Sequence, residues 1–132
     1  MKVFIDTSAL YALGSLSDEY HSKAKAVLKE LLEKDCEFIT SNYILLETVS
    51  LLQRRQGLDA ANIFIDTVSE NTVVLWMDEI LHKKAWDYWK KCWQRDLSLV
   101  DCSSFVLMHS EGIKEAFTFD KQFKAAGFLM VS

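Results

Sequence analysis

The chain has 132 residues, a formal net charge of −4, and a composition that is half hydrophobic and 12% aromatic. That length and apolar content exclude a disordered segment, a fibre and a repeat array, and suit one domain with its own core. The acidic balance argues against a broadly basic nucleic-acid-binding surface, although carboxylates gathered around a divalent cation lower formal charge while still drawing phosphate to the site.

With no proline and only four glycines, hydrophobic periodicity carries most of the reading. Residues 2–5 form a short buried strand. A capped helix is predicted from Ser17, with Ala24, Val27, Leu28, Leu31 and Leu32 on one face. Residues 37–40 make a second strand, and Asn42 caps a helix that runs to about Gln56 and stops at Gly57. A helix over 59–69 leads to a β-rich run at 72–76. Asp78 caps the next helix, where Trp86, Trp89 and Trp93 recur at helical spacing. Core packing is the reading preferred for these three rings, and an exposed partner surface is the alternative. Ser98 opens a helix that reaches His109 and ends at Gly112. Residues 115–119 form a strand, a short helix follows, and 128–131 form the last strand. Short apolar strands alternating with helices specify an α/β fold: one domain over 1–132 with a mainly parallel central sheet flanked by helices.

The three cysteines, Cys36, Cys92 and Cys102, are odd in number and lack C-x-x-C spacing, so they read as reduced, mostly buried thiols. Met1-Lys2-Val3 enters a short apolar segment that holds an aspartate, unlike a signal peptide, and no window approaches a membrane span. The cytoplasm is the expected location. Arg54-Arg55, Lys83-Lys84 and Lys90-Lys91 read as solvated helix faces, with local attraction for phosphate as the alternative. His21, His82 and His109 form no ligand motif, and neither a Gly-rich phosphate loop nor a G-x-S-x-G elbow is present.

Four carboxylates occupy unusual places. Asp6 follows Val3-Phe4-Ile5, and Asp120 follows Ala116-Phe117-Thr118-Phe119, so both lie at the carboxyl ends of strands, where open parallel sheets form their sites. Glu47 interrupts the apolar stripe of its helix between Ile44 and Leu51. Asp101 interrupts another beside Phe105 and Met108. Carboxylates on core-facing stripes are costly unless paired, hydrogen-bonded or bound to a cation. Each has a plainer role available: Asp6 and Asp120 as turn formers or helix caps, Asp101 in a capping-box spacing with Ser98, Glu47 reaching solvent.

Four segments in order resemble the PIN-domain ribonucleases, and more narrowly the VapC-type toxins of toxin–antitoxin pairs. They are Phe4-Ile5-Asp6-Thr7-Ser8-Ala9-Leu10, Leu45-Leu46-Glu47, Leu97-Ser98-Leu99-Val100-Asp101-Cys102-Ser103-Ser104-Phe105 and Thr118-Phe119-Asp120-Lys121-Gln122-Phe123. The resemblance implies that Asp6, Glu47, Asp101 and Asp120 are catalytic, with Asp6 and Asp101 as ligands of Mg²⁺ or Mn²⁺ and Thr7 or Ser8 holding a metal-bound water. Asp96, near the third segment, reads as a loop or capping acid. Hard cations prefer such oxygen donors, and the expected reaction is hydrolysis of an RNA phosphodiester by an activated water. The same resemblance implies an RNA substrate, a cognate antitoxin protein and a homodimer. A housekeeping RNA-processing nuclease and a non-catalytic module that binds RNA or protein remain as alternatives. A receiver-type signalling domain would need a lysine and a phosphoacceptor strand that have no place here.

Overall fold

The computed structural model describes residues 1–132. Strand β1 (Lys2–Ile5) buries Val3, Phe4 and Ile5 in succession, the pattern of a strand covered on both faces. It is followed by helices α1 (Thr7–Gly14) and α2 (His21–Glu33), strand β2 (Glu37–Ser41), helices α3 (Asn42–Gln56) and α4 (Leu58–Asn71), and strand β3 (Val73–Leu75). Helices α5 (Glu79–Cys92) and α6 (Leu99–Glu111) lead to β4 (Glu115–Phe117), then α7 (Gln122–Ala125) and β5 (Leu129–Val131). All four strand pairings are parallel, in the order β3-β2-β1-β4-β5. The chain therefore winds one way from β1 to β3 and the other way through β4 and β5. The reversal lies between β1 and β4, and such a switch point opens a crevice at the strand carboxyl ends.

Helix α3 packs against α1, α4 and α6, and α5 packs mainly on α6. Around the fully buried Phe105, the rings of Phe123, Phe128 and Tyr88 lie 5.0, 5.6 and 5.8 Å away. Truncating Phe105 to alanine would cost about 3–5 kcal/mol. Gly57, at φ +98°, accommodates the turn that ends α3 and starts α4, a conformation glycine adopts without a Cβ clash. No helix is long and apolar enough to cross a membrane.

Several boundaries differ from the sequence-based reading. Helix α1 was not anticipated by periodicity; it buries Thr7, Ala9, Leu10 and Ala12 and so shows no clear apolar stripe. Helix α2 starts at His21 rather than Ser17, because Asp18 forms a turn by accepting the Tyr20 N–H (3.0 Å) and the His21 ring is engaged with the Ala12 carbonyl (2.7 Å). Leu32 faces solvent. Ser41, not Asn42, caps α3 by accepting the Ile44 N–H (3.1 Å), while the Asn42 amide oxygen accepts the Met77 N–H (2.7 Å). Strand β4 stops at Phe117, which leaves Thr118 and Phe119 free to turn into the crevice.

The core reading of the tryptophans is corrected. Trp86, Trp89 and Trp93 are 42%, 37% and 76% exposed. The inward stripe of α5 is Leu81, Ala85, Tyr88 and Cys92, and the tryptophans sit one residue further along, about 100° around the helix. Trp93 closes the helix in the left-handed conformation at φ 48°. The thiols are free, with Cys102 buried but Cys36 and Cys92 only half-buried. Burial, with Cys92 and Asp101 nearby, pushes the Cys102 thiol up to about 11, so it remains protonated and inert.

Candidate active site

The crevice at the switch point is built from the ends of β1 and β4 and the first turn of α6. Asp6 follows β1, is buried, and has its backbone N–H donating to the Phe117 carbonyl (3.1 Å) across the β1–β4 seam. Its Oδ2 accepts the Thr118 hydroxyl (3.0 Å), the Ser8 hydroxyl (3.0 Å) and the Ser8 N–H (3.4 Å). Asp6 is thus also the N-cap of α1; capping and site geometry use the same carboxylate. The two hydroxyls pass the constraint on, since Ser8 Oγ accepts the Phe119 N–H (2.9 Å) and Thr118 Oγ1 accepts the Asp120 N–H (3.0 Å). Asp120 in turn accepts the Gln122 N–H through Oδ1 (2.9 Å), which leaves Oδ2 for the crevice.

Asp101 stands in the first turn of α6, where Ser98 caps the helix by accepting the Asp101 N–H (3.0 Å). The capping-box alternative is realised in part, because the Ser98 hydroxyl and backbone N–H both favour the ionised Asp101 carboxylate. They do not prevail. Burial first, then the charges of Asp6 and Asp120, raise the Asp101 carboxyl to about 7. Burial likewise raises Asp6 to about 6, against hydrogen bonds from Thr118, Ser8 and the Thr7 and Ser8 backbone. Crowded carboxylates oppose one another's ionisation in this way.

The structure brings Asp6, Asp101 and Asp120 into one electrostatic cluster. Glu47 is half-buried on α3 and lines a neighbouring cleft with Val100 and Ser103, the residues on either side of Asp101 along α6. No three acidic, histidine or cysteine side chains converge tightly enough to form a closed metal shell by themselves. The donor set nevertheless suits a hard divalent ion that keeps waters in its shell. Its donors are oxygens and its carboxylates have no cationic partner, as the one ion pair in the chain is Lys83–Glu79 (3.0 Å) on the exposed face of α5. In addition, Thr7 Oγ1 is buried without any hydrogen-bond partner. Of the two hydroxyls expected to hold a water, Ser8 is committed to the internal network and Thr7 is free.

A cleft of about 610 Å³ adjoins this cluster through Asp120, and Thr7, Ser8, Arg55 and Lys121 also line it. The Arg55 guanidinium rests over the Tyr11 ring, 5.4 Å from its centre, and Tyr20 stacks on Phe119 at 4.7 Å. Arg55 belongs to the basic pair for which phosphate attraction is the alternative to a solvated face, and Thr118 carries no expected role from the sequence. Only a neighbouring Asp-Lys pair hinted at the cleft, since folding from distant segments brings these residues together.

A parallel sheet with carboxylates over its switch point defines an α/β domain with an acidic site, and the PIN domain model matches residues 3–129. The chain belongs to the PIN-domain family. It is 37% identical over 132 residues to the 23S rRNA-specific endonuclease VapC20 of Mycobacterium tuberculosis (strain CDC 1551 / Oshkosh), with 98% of this chain and 97% of the relative covered. The crystal structure of M. tuberculosis VapC20, described as a Sarcin-Ricin loop cleaving toxin, superposes with a TM-score of 0.86 at 36% identity, covering 96% of each chain. VapBC2 from Rickettsia felis, crystallised on a DNA fragment from its promoter, shares the fold alone, with a TM-score of 0.70 at 11% identity and coverage of 98% and 97%.

Proposed function

We propose that the chain is a metal-dependent endoribonuclease that hydrolyses phosphodiester bonds in structured RNA and serves as the toxin of a toxin–antitoxin pair. The observation that carries this reading is the cluster of Asp6, Asp101 and Asp120 at the sheet's switch point, where burial opposes the ionisation of Asp6 and Asp101 and no cation pairs with the carboxylates. Full-length similarity to a ribosomal RNA endonuclease supports the substrate class.

Asp6 and Asp101 would hold Mg²⁺ or Mn²⁺, with Asp120 and Glu47 completing its surroundings through waters. Bound there, the ion supplies Lewis-acid charge for the negative charge that develops on the phosphate. The chain's own contribution is positional. The Thr118 and Ser8 hydroxyls lock the Asp6 carboxylate in one orientation, so little reorganisation is needed during reaction. Thr7 Oγ1, buried and unpaired beside Asp6, would orient a water. Arg55 and Lys121 would hold RNA phosphates along the cleft beside Asp120, offsetting the net negative charge of the chain locally.

An antitoxin is the inferred protein partner. A separate apolar groove between α1, α2 and α4, with Leu16 and Ile63 exposed at its rim and Phe64 and Val68 at its base, offers it a docking surface. A homodimer is also inferred, which sedimentation would measure.

The test is cleavage of a ribosomal RNA hairpin of the sarcin–ricin type beside an unrelated hairpin of equal length. Discrete cutting by the wild type, absent in Asp101→Asn, supports the assignment. Undiminished cutting by Asp101→Asn would sink it.

A further inference from the structure

The cleft that contains Glu47 has features the hydrolytic step does not require. It lies between α3, α5 and α6 and has a volume of about 310 Å³, at the small end of ligand pockets. Leu46, Leu99 and Val100 supply flat apolar walls. At one end the Tyr43 hydroxyl is hydrogen-bonded to His82 Nδ1. His82 is held in turn against the edge of Trp86, with ring centres 4.7 Å apart at 71°.

Position matters as much as shape. Val100 and Ser103 belong to the helical turn that carries Asp101, so an occupant of the cleft sits within about one turn, roughly 5 Å, of the carboxylate cluster. Leu99 also borders a second groove formed with Trp86, Trp89 and Lys90. Exposed indole faces next to an ammonium are a stacking platform for a single-stranded nucleotide. The two depressions share Leu99 and so lead from the carboxylates through the apolar cleft to the aromatic shelf.

We propose that this open apolar cleft receives one unstacked nucleobase of the RNA next to the scissile phosphate, with the Tyr43–His82 pair reading its hydrogen-bonding edge and Trp86 and Trp89 stacking the following nucleotide. The inference rests on the nuclease reading of the carboxylates. An unpaired loop base has the required character: a flat apolar body and a polar edge. The Glu47 carboxylate in the cleft lining favours an edge that presents N–H donors. The cleft thus makes specificity a property of Tyr43, His82 and the aromatic face of α5, with Glu47 at the border between the cleft and the carboxylate cluster.

The experiment uses the full chain with Mn²⁺ and hairpins that differ only in the nucleotides flanking the cut. Wild type is compared with Tyr43→Phe, with His82→Ala, and with Ser50→Trp, whose indole would close the cleft from an exposed rim position. Circular dichroism establishes that each variant is folded. The expected result is a loss of about tenfold in preference for the favoured flanking base in Tyr43→Phe and His82→Ala, as follows when a half-buried hydrogen-bonding group loses its partner. Ser50→Trp should abolish the preference while cutting of disfavoured hairpins continues. Wild-type preference in all three variants overturns the inference and leaves the nuclease intact. A Ser50→Trp protein that drops from dimer to monomer with preference unchanged also overturns it, by giving the cleft to a second copy of the chain. If the wild type cuts no hairpin under any metal condition, the nuclease reading fails and the base pocket with it.

Discussion

Replacing Asp101 with asparagine should stabilise the metal-free protein at alkaline pH, because the native fold forces an ionised carboxylate into a poor environment. The ordinary aspartate value is 3.8, and Asp101 is raised to about 7. A carboxyl raised on folding supports the native state fully below its unfolded value, and that support is lost as pH rises through its folded value. The gap corresponds to about 4 kcal/mol, and solvent screening of the partly exposed group reduces it to about 2 kcal/mol. In chelator, wild type should therefore lose stability between pH 4 and pH 8, and Asp101→Asn should lose about 2 kcal/mol less. Urea unfolding followed by fluorescence reads this as a midpoint about 1 M higher for the variant at pH 8 and nearly equal midpoints at pH 4. Added Mg²⁺ or Mn²⁺ should raise the wild-type midpoint and leave the variant's almost unmoved. Equal midpoints at pH 8, or a less stable variant there, would refute the claim that Asp101 is an electrostatic burden in the empty cluster.

Two other substitutions probe buried hydroxyls, one at the site and one in the core of α6. Thr118→Val removes the donor to Asp6 and the acceptor for the Asp120 N–H, so it should destabilise by about 1–3 kcal/mol in denaturant. It should also raise the Asp6 carboxyl further, moving the acidic limb of the pH–rate profile to higher pH; a limb that stays in place would contradict the Thr118–Asp6 coupling. Ser104 is fully buried and its hydroxyl has no partner, so Ser104→Ala should be neutral or stabilising by up to about 1 kcal/mol in a thermal melt. A clear loss of stability would mean the hydroxyl is paired after all.

Much of the fold was written in local patterns. Val3-Phe4-Ile5 is apolar without alternation and becomes a central strand, Asp78 and Ser98 cap the helices they precede, and Gly57 and Gly112 end theirs. What failed locally failed for identifiable reasons. Helix α1 is buried nearly all round and lacks a stripe, and the start of α2 depends on a contact between His21 and Ala12 that no window reveals. The tryptophans shared a helical spacing, but spacing alone does not say which of two adjacent stripes faces inward. At the site, the strand-end positions of Asp6 and Asp120 were legible. The hydroxyl relay through Ser8 and Thr118 joins residues more than a hundred positions apart, and the placement of Glu47 in a separate cleft depends on how α3 meets α6.

The most direct test of the central claim is to titrate Mn²⁺ and Mg²⁺ into wild type and Asp6→Asn and to follow each addition with cleavage of a structured ribosomal RNA. The carboxylate cluster predicts saturable binding by the wild type, cutting that appears with the ion and stops with chelator, and loss of both in a folded Asp6→Asn protein. Ion-independent cutting, or full binding and cutting by Asp6→Asn, would contradict it.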